Sequence, residues 1–170
     1  DGNGVITTDD RIIYSQRPDV TFGFNNTFNY KGFDLSVFLY ARLGQWIAYD
    51  YNTTYRINAL ENGGNVDYWT PENPTNAFPR PNKSKSYTQV TYYSTLKYED
   101  GSFFKIRDIT LGYTFKPELL KHLNLSRLRV YATAKNFFTF SKIDNYDPEQ
   151  GGSISFPMTK QLVFGLNVEF

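Results

Sequence analysis

Cysteine is absent from the 170 residues. That excludes thiolate catalysis, cysteine-ligated zinc or iron–sulfur sites and any disulfide framework. Histidine occurs once, at His122, which leaves no material for a histidine-rich metal site and argues against a His-based triad. Excess charge is missing too: 18 Lys+Arg face 17 Asp+Glu, a formal net charge of +1. So even a balance gives no electrostatic reason for a nucleic-acid partner. No apolar run approaches the roughly 20 residues of a membrane-spanning helix.

What is present in quantity is aromatic. Fourteen Tyr, fifteen Phe and two Trp make 18% of the chain, yet its mean hydropathy is −0.51. A soluble core does not need that many rings beside so much polar surface. A transmembrane β-barrel does, because it alternates apolar-out with polar-in and adds aromatic girdles at both interfaces. A carbohydrate-binding β-sandwich has a similar balance, so composition leaves both open.

The apolar residues recur with a period of two. Leu162, Phe164, Leu166, Val168 and Phe170 form one stripe, with Val163, Gly165, Asn167 and Glu169 between them. Leu128, Val130, Ala132 and Ala134 oppose Arg127, Arg129, Tyr131, Thr133 and Lys135. Cations on a strand face argue against a dry core there; a water-filled lumen or bulk water would accept them. Residues 108–115, 20–30 and 33–41 alternate in the same way, with Asn26 as an exception. Upstream of Asp108 the phase slips, because Phe104 and Ile106 fall on the polar side; a bulge, or a strand continuing above the membrane, explains this. Five strands follow, each near the 9–11 residues that cross a bilayer with tilt. Their connections alternate in length: a tight turn at 30–32, a long stretch over 44–101, a short link over 116–124 and a medium loop over 141–159. Short turns on one side and long loops on the other are the habit of outer-membrane barrels.

Several strings stand in order along the chain. Tyr68-Trp69-Thr70-Pro71-Glu72-Asn73-Pro74-Thr75-Asn76 leads to Phe78-Pro79-Arg80. Asp100-Gly101-Ser102-Phe103-Phe104-Lys105-Ile106-Arg107-Asp108-Ile109-Thr110-Leu111-Gly112-Tyr113 follows, then Leu128-Arg129-Val130-Tyr131, Lys135-Asn136-Phe137-Phe138-Thr139 and Asp147-Pro148-Glu149. The last is Phe164-Gly165-Leu166-Asn167-Val168-Glu169-Phe170. Together, over essentially the whole chain, they resemble the C-terminal part of the SusC/RagA family of TonB-linked outer-membrane transporters. The resemblance implies an all-β fold: about five antiparallel strands of a large transmembrane barrel in the bacterial outer membrane. It places 1–18 as an extracellular loop and 19–170 as barrel strands, with 44–101 and 141–159 outside. It implies a plug and further strands of the same transporter, a SusD-like surface lipoprotein and TonB as partners. Import of oligosaccharides or oligopeptides is the implied function, with no nucleic acid and no enzymatic step. The sequence leaves the substrate unnamed. A soluble or surface-attached β-sandwich that binds glycans is the alternative.

Candidate residues divide by chemistry. Asp1-Gly2-Asn3-Gly4-Val5 and onward to Asp10 resembles the later part of an EF-hand-type loop, so Asp1, Asn3, the Val5 carbonyl and Asp10 are expected ligands for Ca²⁺. The closing stripe of Phe164, Leu166, Val168 and Phe170 resembles the signal that outer-membrane assembly machinery recognises. Tyr68 and Trp69 carry rings suited to stacking on sugars or peptide side chains, although Trp69 is expected to pack beneath its loop. Arg127, Arg129 and Lys135, with Lys105 or Arg107 nearby, are expected to pair with plug carboxylates or with cross-strand acids. His122 is expected in an exposed turn. Asp67 with Glu72, and Asp147 with Glu149, are expected to be solvated rather than a glycosidase pair. No catalytic residue is assigned.

Overall fold

The period-two alternation becomes one antiparallel sheet in a computed structural model of the chain, which describes residues 2–5, 7–55, 64–84 and 93–170. Strand β1 (Val20–Tyr30) turns through Lys31-Gly32 into β2 (Phe33–Leu43). Both turn residues have positive φ, 48° and 90°, the backbone twist that joins two right-twisted strands without splaying them. Within the long connection, β3 (Trp46–Ala48) pairs with β4 (Tyr98–Asp100) as a separate small ribbon. Strands β5 (Phe103–Thr114), β6 (Arg127–Ser141) and β7 (Gln161–Glu169) complete the main sheet, whose order is β1-β2-β5-β6-β7. Each neighbouring pair is antiparallel.

The register explains the slipped phase of β5. Val37 pairs with Ile109, but Leu39 pairs with Ile106, so β5 carries one residue more than β2 across that step. The bulge returns Phe104 and Ile106 to the face shared by Ile109, Leu111 and Tyr113. Strand β6 steps again: Ile106 faces Phe138 while Asp108 faces Lys135, and Asn136 takes φ 58° between them. Of the two explanations open from the sequence, the bulge is the one adopted.

Both long connections leave the sheet at one end, where β2 and β6 finish and β5 and β7 begin. The short links occupy the other end. There Pro117–Leu120 makes one helical turn, with Pro117 in the first turn, where a missing N–H costs nothing. Leu120 is buried against the sheet end. At the long-loop end the two connections pack on each other. Ile47, Tyr49 and Ile143 form a buried cluster, flanked by Tyr51, Tyr146 and Ile154. The Asp50 N–H donates to the Gly152 carbonyl at 3.0 Å.

Gly152 is where this contact is tightest. Its φ is 96°, and a Cβ added there would overlap the Ala48 carbonyl oxygen, a backbone atom that cannot rotate away. Gly152→Ala is therefore expected to weaken the docking of the two connections by about 2–3 kcal/mol. Faster protease cleavage within 141–159 of the intact receptor, with unchanged strands, checks it.

A sandwich would cover its apolar faces with a second sheet. Among the described residues nothing covers this one: Phe164 is 77% exposed and Leu111 52%. No helix among those residues is long and apolar enough to cross a membrane. With the apolar face open and neither sheet edge paired among the described residues, a sheet of this kind needs further strands to close in lipid.

Candidate functional site

The sheet is a wall with two chemically distinct faces. On one face, Phe22, Phe24 and Phe28 of β1 stand with Leu35, Val37 and Leu39 of β2, Ile109 and Leu111 of β5, Val130 and Ala132 of β6, and Phe164 and Leu166 of β7. Aromatics gather at both ends of this face. Phe104 and Phe140 lie near the long loops, with ring centroids 6.1 Å apart. Phe33, Tyr113 and Phe115 lie near the short links, at 4.6 and 5.1 Å. Phe104 and Tyr113 are nine residue steps apart along β5, about 30 Å of strand at the usual rise. A tilt of about 40° brings this close to the roughly 25 Å apolar band of outer-membrane barrels. On the central strands aliphatic side chains (Leu35, Val37, Ile109, Leu111) fill the middle and rings mark the edges, while Phe24, Phe28 and Phe164 carry rings into the inner rows of the flanking strands and Asn26 is a polar exception in the middle row. Composition pointed to girdles, but only the register shows which residues form them.

The opposite face carries polar and charged groups beside the rings of Phe38, Tyr40 and Tyr131, and most of its cations are paired with acids. Arg129 on β6 reaches across β5 to Asp34 on β2: Nε donates to Oδ1 at 2.9 Å and Nη2 to Oδ2 at 2.5 Å. Gly112 lies beneath this pair; a Cβ there would stand 2.5 Å from both Arg129 Nη2 and Asp34 Oδ1. The Arg129 guanidinium also sits over the Tyr131 ring at 4.9 Å. Lys135 meets Asp108 at 3.5 Å, and Arg127 meets Glu169 at 3.2 Å on the exposed rim. The Thr110 and Thr133 hydroxyls share a hydrogen bond of 2.8 Å. These groups border a groove of about 550 Å³ lined in part by Asn25, Ser36, Asp108, Thr110, Thr133 and Lys135. Arg127, Arg129 and Lys135 therefore find cross-strand acids within the wall, and the groove presents amides and hydroxyls beside the Phe38 and Tyr131 rings and Val163.

Above the wall, the loop body carries the other candidates. Tyr68 bridges to Phe78, and the Trp69 N–H donates to the Phe78 carbonyl at 3.0 Å. Trp69 keeps 38% of its surface exposed, so it does not pack beneath the loop as expected. It borders a cavity of about 280 Å³ with Phe78, Arg80 and Leu96. A second cavity of about 280 Å³ lies between the two connections, lined in part by Tyr49, Asn52, Glu99 and Asn145. Burial, helped by the neighbouring Tyr51 and Tyr146 phenols, pushes the Tyr49 phenol up to about 12, while Asn145 pulls the other way. The Tyr49 hydroxyl makes no hydrogen bond of acceptable geometry among the described residues. The Ser102 hydroxyl holds the Asp100 carboxyl below its ordinary value, with the Ser102 N–H and Lys142 acting in the same direction. The Thr75 hydroxyl and the Asn73 amide do the same for Asp67.

Asp147 and Glu149 depart from expectation. They are not solvated: their side chains are 12% and 10% exposed, and both grip Lys105, at 2.6 and 2.8 Å. A glycosidase role gains nothing from this, because the partner is a fully buried cation rather than an open cleft. His122 is exposed in the short link, as expected.

The N-terminal segment divides. Asp1 lies outside the described residues. Asn3 Oδ1 accepts the Val5 N–H at 2.7 Å, and Asp10 Oδ2 accepts the Thr7 N–H at 2.8 Å, closing a capping box. No group of three or more His, Cys, Asp or Glu that could hold a metal occurs among the described residues. Asn3, the Val5 carbonyl and Asp10 fall short of the six to eight oxygens that Ca²⁺ takes.

Phe164, Leu166 and Val168 stand in one row on β7, paired with Ala132, Val130 and Leu128. All three are exposed, and Phe170 beyond them is 93% exposed.

No family model matches the chain. Among curated proteins it is 31% identical, along its whole length, to "TonB-dependent receptor P3" of Formosa agariphila, of which it covers 18%. It is also 31% identical over 99% of its length to "TonB-dependent receptor SusC" of Bacteroides thetaiotaomicron, of which it covers 17%. The chain thus spans about a fifth of the length of the curated relatives it matches. Among solved structures, the RagAB peptide importer in its "closed-closed" state is similar with a TM-score of 0.76 and 26% identity, over 98% of this chain and 19% of that one. The "open-open" state of the same importer gives 0.71 and 28%, over 98% and 19%. These proteins are named as receptors and importers, not enzymes.

Proposed function

The chain belongs to the SusC/RagA family of TonB-linked transporters of the bacterial outer membrane, as a segment of one, and from that premise we propose that it is wall and outer rim of an energy-coupled nutrient importer. The observation that carries the proposal is the two-faced sheet: an uncovered, ring-edged apolar face and a charge-paired polar face, with both long connections at one end. Such a wall separates lipid from an aqueous passage. In the whole receptor, a plug would fill that passage and TonB would act on it from the periplasmic side. A SusD-like surface lipoprotein would meet the rim formed by residues 44–101 and 141–159. The cargo is an oligosaccharide or an oligopeptide; the relatives include both a SusC and a peptide importer. Trp69 and Tyr68, exposed on the rim, are proposed cargo contacts. The β7 row ending at Phe170 is proposed as the assembly signal.

Uptake tests the proposal. Cells lacking the receptor gene should lose accumulation of one labelled oligomer class, and removing TonB should produce the same loss. Uptake of both oligosaccharides and oligopeptides that is unchanged by either deletion would overturn it.

Calcium belongs to the proposal as a ligand of the N-terminal segment. Asn3, the Val5 carbonyl and Asp10 would supply part of its shell, with the remaining oxygens coming from Asp1 and elsewhere in the receptor. Calorimetric titration of Ca²⁺ into the receptor, with and without Asp10→Asn, checks it: an unchanged binding isotherm removes Asp10 from the shell.

A further inference from the structure

Two strings far apart in the sequence meet in one buried cluster. Lys105 lies on the polar face of β5, just above the bulge, and is 0% exposed. Its ammonium sits 2.6 Å from Asp147 Oδ2 and 2.8 Å from Glu149 Oε2. Arg107, two positions along, meets the other Glu149 oxygen at 3.0 Å. Aromatic rings flank both cations: Phe103 lies 5.5 Å from the Lys105 ammonium, and Tyr40 lies 5.4 Å from the Arg107 guanidinium. A fully buried ammonium is tolerated only when its charge is matched and its donors are used. Here two carboxylates match the charge and take two of the three N–H donors.

The loop side is built for the same contact. Asp147 accepts the Glu149 N–H at 3.0 Å with Oδ1, capping the short turn Pro148–Gln150, and leaves Oδ2 for Lys105. Pro148 is buried and fixes φ at the first position of that turn. The three residues therefore contribute differently. Asp147 caps the turn and grips the lysine, Pro148 fixes the backbone, and Glu149 supplies the second grip. Immediately beyond the turn, Gly152 docks on the Ala48 backbone. Ile143, before the turn, packs on Ile47 and Tyr49.

We propose that Asp147-Pro148-Glu149 is a clasp closed on Lys105, and that it holds both outer connections in fixed position on the wall. Lys105 is a positioning residue; it acts through the loop it holds. The strand string 100–113 and the Asp-Pro-Glu string are then two halves of one device. The described rim around residues 44–55 and 141–159 moves with the wall rather than independently of it.

The test is protease cleavage within 141–159 of the intact receptor in outer-membrane vesicles, independent of any transported substrate. When opening is faster than cutting, cleavage follows the open population. Lys105→Met should raise the cleavage rate about tenfold or more, since it leaves two buried acids facing each other. Lys105→Arg, which keeps the charge, should stay within about threefold of the native rate. Asp147→Asn with Glu149→Gln, which opens the clasp from the loop side, should behave as Lys105→Met does. A Lys105→Met rate within about twofold of native overturns the proposal, and so does Lys105→Arg behaving as Lys105→Met. If Lys105→Met does not reach the membrane, the loop-side double variant decides. An assembled receptor with a fast-cut loop supports the clasp; a resistant loop, or failure to assemble, overturns it.

Discussion

Leu111→Arg is expected to remove most of the assembled receptor from the outer membrane. Leu111 lies on central strand β5, between Leu35 of β2 and Ala132 of β6. It is 52% exposed on the apolar face, one row from the middle of the band between the two aromatic edges. An arginine near the bilayer midplane of a barrel costs about 2–4 kcal/mol, or roughly 30- to 700-fold in population. The same substitution at Tyr30, on the same face beside the hairpin turn, should cost only about 0–1 kcal/mol, because the cost falls near the interface. Folding titrations of the whole receptor into lipid vesicles, together with the amount of protein that resists unfolding in unheated gels, measure both. Equal losses at the two positions would mean that the face does not sense membrane depth, and the wall assignment would fail.

Gly112→Val is the second large effect. The bidentate pair between Arg129 and Asp34 passes over β5 at the one position where β5 has no side chain. A Cβ there meets the termini of both residues. Each is a flexible end in principle, but each is held by the other and is only about a fifth exposed. Making room for valine means opening the pair, and hydrogen bonds between charged groups contribute about 1.5–3 kcal/mol. The expected loss is about 2–3 kcal/mol of receptor stability. A double-mutant cycle isolates the cause: in a background already carrying Asp34→Ala and Arg129→Ala, Gly112→Val should cost less than about 1 kcal/mol. An undiminished cost in that background would assign the effect to the β5 backbone instead.

Much of the wall was legible in the sequence because its rule is local. Strand side chains alternate, so a lipid face writes itself as a period of two, and the 162–170 stripe needs no tertiary information to be recognised. The sorting of short and long connections was legible for the same reason: it follows from counting residues between stripes. The phase slip before Asp108 was visible but ambiguous. A bulge is defined by what the neighbouring strand does, and only the pairing of Leu39 with Ile106 decides it.

The clasp was the least legible part. Asp147 and Glu149 looked solvated because charged residues on a loop rich in polar neighbours usually are. Nothing within ten residues of them carries their partner; Lys105 stands more than forty positions away. The strings that contain them pointed to a family, and their physical purpose became clear once loop and strand were seen in contact. Trp69 was misjudged for a related reason. Flanking prolines suggest a stiff loop, but whether a ring lies under or over it depends on how the same connection folds back to bring Phe78 and Leu96 beside it.

By itself, then, the sequence determined the class of object: an antiparallel wall with an apolar side, a charged side and sorted loops, because alternation and spacing are properties of neighbours along the chain. Tertiary structure decided which charges are paired, which acids are buried and how the outer loops are fixed to the wall. Arg129 with Asp34, Lys105 with Asp147 and Glu149, and Gly152 on Ala48 are contacts between distant segments. Their energies depend on burial and geometry that exist only after the strands have found their register.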